Sequence, residues 1–134
     1  MKKSKKANKR KKYQRAKQKY EQKISRLQEI PLAEHDRITY LYKRDRDNTI
    51  YEVTNVSYEI RIENVWVTII RYDSFHGFLH KHILVSLENP TDTPTDVDID
   101  KQGDHAEWLT WAINDIKKNF SNYKLEFLKR SGIL

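Results

Sequence analysis

The sequence predicts an α+β fold, a four-stranded antiparallel sheet backed by a C-terminal helix and preceded by a basic N-terminal helix or tail. Three observations carry that expectation. β-forming runs separated by short turns occupy residues 37–87, an apolar stripe at helical spacing follows Asp104, and positive charge is concentrated at the N-terminal end.

The 134 residues carry a net charge of +7, with 34% charged and 37% hydrophobic residues. Residues 1–30 hold 13 Lys and Arg against Glu21 and Glu29, a balance of +11. Residues 31–134 hold 13 against 17 Asp and Glu, a balance of −4. The organisation read from this is a basic helical or disordered extension over 1–30 and a single α+β domain over 31–134, with an anionic partner for the extension. Cysteine is absent, which removes disulfides and thiolate metal sites. No apolar run approaches the roughly 20 residues of a spanning helix, and no apolar segment follows the basic start as in a secretory signal. A cytoplasmic protein that does not enter the membrane is expected.

Residues 2–12 are nearly continuous Lys and Arg, which repel one another. From Tyr13 a thin stripe of Tyr13, Ala16, Tyr20, Ile24 and Leu27 has helical spacing, and Pro31 stops the predicted helix near Glu29 or Ile30. Lys5, Lys6, Lys9, Arg10, Lys12, Arg15 and Lys19 are the candidate nucleic-acid contacts, RNA being favoured over DNA. Binding of that kind releases counterions and weakens steeply with salt. The plainer alternative is a solubilising extension whose stripe rests on the domain.

Residues 37–43 read as a first strand and Lys43 to Asn48 as a charged turn. Ile50 to Ile62 alternates as a long second strand, with Asn55 at a bulge or bend, and Glu63-Asn64 turns the chain. Val65 to Ile70 and Ile83 to Leu87 then flank a hairpin whose tip is Ser74 to Gly77. Strands in sequence with short connections argue for an antiparallel meander.

Residues 88–104 form an acidic loop. Asp96-Val-Asp-Ile-Asp100 begins like a calcium loop with Glu107 at its twelfth position. Lys101 occupies the place that loop gives to Gly, so a solvated loop with Val97 and Ile99 available for a short strand is the preferred reading. Asp104-His-Ala-Glu107 has capping-box spacing. The helix it starts carries Leu109, Ala112, Ile113, Ile116 and Phe120, widened by Trp108 and Trp111. Ser121 is placed to cap a second short helix ending near Gly132. No Gly-rich phosphate loop and no Gly-x-Ser-x-Gly elbow occurs, so no cofactor is expected.

Three of the five histidines fall within seven positions of the hairpin, beside Arg71 and Asp73. With a four-residue turn, Asp73 faces Phe78 and Arg71 faces His80. Residues two apart in a strand share a face, so Arg71, Asp73, His80 and His82 lie on one surface, with His76 at the tip able to fold over it. A one-residue change of register would separate them. Three chemistries fit this catalytic set of Arg71, Asp73, His76, His80 and His82. One imidazole near its unperturbed pKa of about 6.5 takes the 2′-hydroxyl proton of RNA, another protonates the leaving oxygen, and Arg71 steadies the phosphorane. Alternatively, His80 and His82 with Asp73 or His76 hold a transition metal, in a metal-dependent hydrolase. Third, the patch contacts phosphates or a partner without chemistry. The structural alternative is that Asp73 accepts backbone donors at the turn while pairing with Arg71, leaving ordinary strand histidines.

Arg71-Tyr72-Asp73 at a strand end, then His76-Gly77 and His80-Lys81-His82, resembles the motif of the TumE family of small toxins. The resemblance implies a compact, sheet-based toxin of a prokaryotic toxin–antitoxin pair, an antitoxin protein as partner, and a target in nucleic acid or translation. A non-catalytic nucleic-acid-binding or ribosome-associated protein driven by the basic extension is the alternative from a different class.

Overall fold

The computed structural model describes residues 8–12, 23–88, 96–99 and 102–134. Residues 8–12 are helical (α1). Seven strand segments follow: β1 (Lys23–Ile24), β2 (Gln28–Ala33), β3 (Asp36–Arg44), β4 (Ile50–Ile62), β5 (Val65–Asp73), β6 (Leu79–Ile83) and β7 (Asp96–Ile99). The 3₁₀ turn Phe75–Gly77 joins β5 to β6, and α2 (His105–Arg130) closes the chain. All described pairings are antiparallel, in the order β1-β3-β4-β5-β6-β7, with β2 also on β3. The α+β architecture and the C-terminal helix are as expected, but the sheet runs beyond four strands at both ends.

The first extra strands lie where a helix is expected. Ile24 pairs with Lys43, and Gln28 to Pro31 pair with Tyr40 to Arg37, so β2 begins before the boundary placed at residue 30. The physical reason is the alternation in β2, where Ile30 and Leu32 pack on the core while Glu29, Pro31 and Ala33 are exposed. Pro31 is tolerated because it lies in a segment that pairs with β3 alone. Ile24 and Leu27 of the predicted stripe are 64% and 61% exposed in this extended chain; Tyr13, Ala16 and Tyr20 lie outside the described residues.

The central strands follow their β-formers. Glu63 and Asn64 both adopt positive φ, giving the two-residue turn whose twist suits a tight hairpin. Register shifts opposite Leu41/Tyr42, where Thr54 beside Asn55 is the extra residue, and again where Ile69 is extra on β5. Ile83 ends β6, and Leu84 still donates its amide to the Ile69 carbonyl at 3.1 Å. Beyond it Val85 to Leu87 leave the sheet, and the Leu84 and Val85 carbonyls accept bonds from the Arg130 guanidinium at 3.1 and 2.8 Å. Val97 and Ile99 do pair with β6.

Asp104 caps α2 by accepting from the Glu107 amide at 2.8 Å, as its spacing predicts. The expected break at Ser121 does not occur. The helix runs unbroken to Arg130, because neither Gly nor Pro interrupts residues 105–130 and apolar residues continue to Phe127. Trp108, Ala112, Ile116 and Phe127 are buried against Ile38, Val56, Tyr58, Ile60, Ile70, Tyr72 and Leu79. Each fully buried Val, Leu, Ile or Phe among these contributes roughly 1.5–3 kcal/mol. Alternation sends Ile70 and Tyr72 into this core and leaves Arg71 and Asp73 for the opposite face of the sheet.

Candidate functional site

The hairpin at the β5–β6 turn carries most of the predicted site. Its register is Arg71 opposite His82, Tyr72 opposite Lys81 and Asp73 opposite His80. The turn is therefore wider than the four residues expected, because Phe78 and Leu79 follow the 3₁₀ segment Phe75–Gly77 before pairing with β5 begins at His80. The change is two residues, so parity is kept and Arg71, Asp73, His80 and His82 still share one face. His76 lies in the 3₁₀ turn, and its side chain is outside the described residues.

On that face His82 Nε2–H donates to Asp73 Oδ2 at 2.8 Å. The His80 ring stacks beside His82 at 6.1 Å with 28° between the planes, and lies 4.5 Å from Phe78. Asp73 Oδ1 accepts the Phe75 amide at 3.3 Å, so one carboxylate both shapes the turn and orients an imidazole. Burial pushes the Asp73 carboxyl upward, but the His82 hydrogen bond and charge, the Phe75 amide and the His80 charge outweigh it and hold it below 3.8. A carboxyl depressed on folding adds stability that is fully present above the unfolded value and disappears as pH falls through the folded one. The expected result is that wild type loses stability below about pH 3.8 more steeply than Asp73→Asn, read as urea midpoints across that range. Parallel curves would show that Asp73 makes no such contribution.

Beneath the face, Lys81 sends its side chain the other way. Its ammonium lies 2.7 Å from the Tyr123 hydroxyl, and Asp115 accepts both Tyr123, at 2.6 Å, and the hydroxyl of fully buried Tyr72. Burial lowers the Lys81 ammonium, while Asp115 and Glu126 push it back. This cluster pins β5 and β6 to α2 and so fixes which way the intervening histidines point.

The turn is tied to the rest of the fold by Ser74 and His105, which no local spacing marks as partners. Ser74 is fully buried; its Oγ accepts the Val53 amide at 2.6 Å and lies 2.7 Å from His105 Nδ1 at the start of α2. Burial drives the His105 imidazole down to about 4, against opposing pulls from Glu52 and Asp104 and with further lowering from Lys12 and Lys9. His105 stood in the capping-box motif, but nothing in its spacing marked a partner 31 residues away.

The described part of the basic extension is not detached. The Lys9 ammonium sits 4.8 Å from the centre of the Trp108 ring, and the Arg10 guanidinium 4.9 Å from that of Phe78. Gly77 has φ +90°, and a Cβ there would stand 2.6 Å from the Lys9 carbonyl oxygen. Gly77→Ala is expected to cost roughly 1–3 kcal/mol, the range for a strained left-handed residue, and to expose residues 8–12 to trypsin. Unchanged stability and protection would show that this contact is not needed. Lys5, Lys6, Arg15 and Lys19 lie outside the described residues.

Among the described residues, no group of three or more His, Asp or Glu is placed to share a metal ion, and no helix is long and apolar enough to cross a membrane. The face instead offers an oriented imidazole, a second imidazole and a cation opposite the first.

A family model described as a domain of unknown function (DUF7718) matches residues 15–133. No curated protein and no solved structure matches the chain significantly.

Proposed function

The chain belongs to the DUF7718 family, and we propose that it is a toxin-type protein that cleaves RNA without a metal, using the face built by β5 and β6. The single observation supporting this reading is the 2.8 Å hydrogen bond by which Asp73 orients His82, with His80 stacked beside it. Donation from Nε2 makes Nδ1 the basic nitrogen of His82. That nitrogen takes the 2′-hydroxyl proton, and the 2′-oxygen forms its bond to phosphorus. The bond to the 5′-oxygen breaks, and His80 in its protonated form supplies that oxygen with a proton. Arg71, opposite His82 in register, stabilises the charge that builds on the phosphorane. The products are a 2′,3′-cyclic phosphate and a 5′-hydroxyl. The site of action is the cytoplasm, and an antitoxin protein is the partner such an activity requires.

Incubation of purified protein with RNA in EDTA tests this. Cyclic phosphate ends and growth arrest on induced expression are expected; intact RNA, or cleavage only after a divalent ion is added, overturns it. The packing of Lys9 and Arg10 beside the turn favours one second reading, a non-catalytic RNA-binding module. Deleting residues 2–12 separates the two, since a catalyst keeps its chemistry with weaker substrate capture and a binding module loses its role.

A further inference from the structure

A cavity of about 290 Å³ lies where α1, the hairpin turn, the β3–β4 turn and the start of α2 meet. Its aromatic and apolar walls are Trp108, Tyr51 and Ile50, and Lys9 and Lys12 line it from α1. Gly77 forms part of the wall, so the cavity abuts the turn whose other end holds Asp73. It differs from the His80–His82 face, none of whose residues lines it.

We infer that this cavity is a nucleotide-binding pocket, in which one planar base takes the place over the Trp108 ring now held by the Lys9 ammonium at 4.8 Å, while Lys9 swings aside to meet its phosphate together with Lys12. The inference deepens the ribonuclease reading by naming a second contact with the RNA, and rests on that reading for the ligand class. A flat aromatic wall is tolerant of base identity because every base has a π-face. The two carboxylates among the lining residues do not cancel the lysines in kind. Asp45 Oδ1 already accepts the Asp47 and Thr49 amides at 2.9 and 3.1 Å, and Asp104 Oδ1 accepts the Glu107 amide at 2.8 Å. Both are committed to local turns and a helix cap, whereas the ammonium groups end flexible stems that can follow a phosphate. His105, packed edge-on to Trp108 at 4.6 Å, is held neutral by its burial, so it adds a polar edge rather than charge.

The probes are the four nucleoside 5′-monophosphates and a tetranucleotide RNA made uncleavable by 2′-O-methyl groups. Titrations of the full chain follow tryptophan emission and calorimetric heat. Lys9→Ala/Lys12→Ala is expected to weaken binding at least tenfold, whereas the charge-matched Lys117→Ala/Lys118→Ala, two exposed positions of α2 that do not line the cavity, leaves it within twofold. Binding of monophosphates with that dependence supports a pocket open to free nucleotides. Tetranucleotide binding alone, with the same dependence, supports a subsite for one unit of an RNA chain. No binding of either probe, or equal binding to the Lys9→Ala/Lys12→Ala variant, overturns the pocket. Loss of cleavage in EDTA would sink the ribonuclease reading without moving these titrations.

Discussion

Replacing His82 with Ala is expected to lower RNA cleavage by roughly 10²–10⁴-fold, the usual contribution of a positioned acid or base. The variant should keep its fold, because His82 lies on the sheet face away from the α2 core. Asp73→Asn is the sharper companion. It preserves volume but removes the carboxylate that holds Nε2–H, so the imidazole can adopt the wrong tautomer while still being present. A smaller loss than for His82→Ala, with KM little changed, is expected from single-turnover and steady-state rates on a defined RNA. His80→Ala should match His82→Ala, and the double variant should lose little more, because residues that act as one unit are strongly non-additive. Full activity in the double variant would remove the hairpin face from the mechanism.

The second large effect concerns stability. Asp115→Ala withdraws one acceptor from two phenols, that of fully buried Tyr72 and that of Tyr123, and removes the carboxylate charge that most favours the Lys81 ammonium. A cost of roughly 2–4 kcal/mol is expected, because hydrogen bonds to a charged group are worth about 1.5–3 kcal/mol and the donors left behind are poorly hydrated. Asp115→Asn keeps an acceptor and should cost less. Urea unfolding gives both values, and a cost below about 1 kcal/mol for the Ala variant would show that water replaces the carboxylate. The same variant should slow cleavage, since Lys81 stands between His80 and His82 and its anchorage orients their strand.

The shared face of Arg71, Asp73, His80 and His82 was legible because strand alternation depends on parity alone. The turn is two residues wider than read, and the face survives. The α2 cap was legible for a similar reason, since Asp104 and Glu107 interact within one turn of backbone. What escaped was long in range. β1 takes its conformation from pairing with β3, while the helical spacing of Tyr13, Ala16, Tyr20, Ile24 and Leu27 pointed to a helix through it. The short alternation of Ile30 and Leu32 in β2 gains its meaning only from the β3 edge it pairs with. The continuity of α2 through Ser121 was misread because a capping residue can equally sit within a helix held by tertiary packing. The 2.7 Å approach of Ser74 to His105 and the seating of Lys9 against Gly77 join segments far apart in sequence, and no spacing rule reaches that far.

Those same long connections bear on the order of assembly. Closing the chain between Lys9 and Gly77 requires an entropic cost that the local β4–β5 hairpin never meets. The meander can therefore pair early, while the corner beneath α1 waits for both termini to arrive. Refolding followed at Trp108 should lag behind the appearance of sheet signal, and a chain caught between those events would have its hairpin but no floor under the turn.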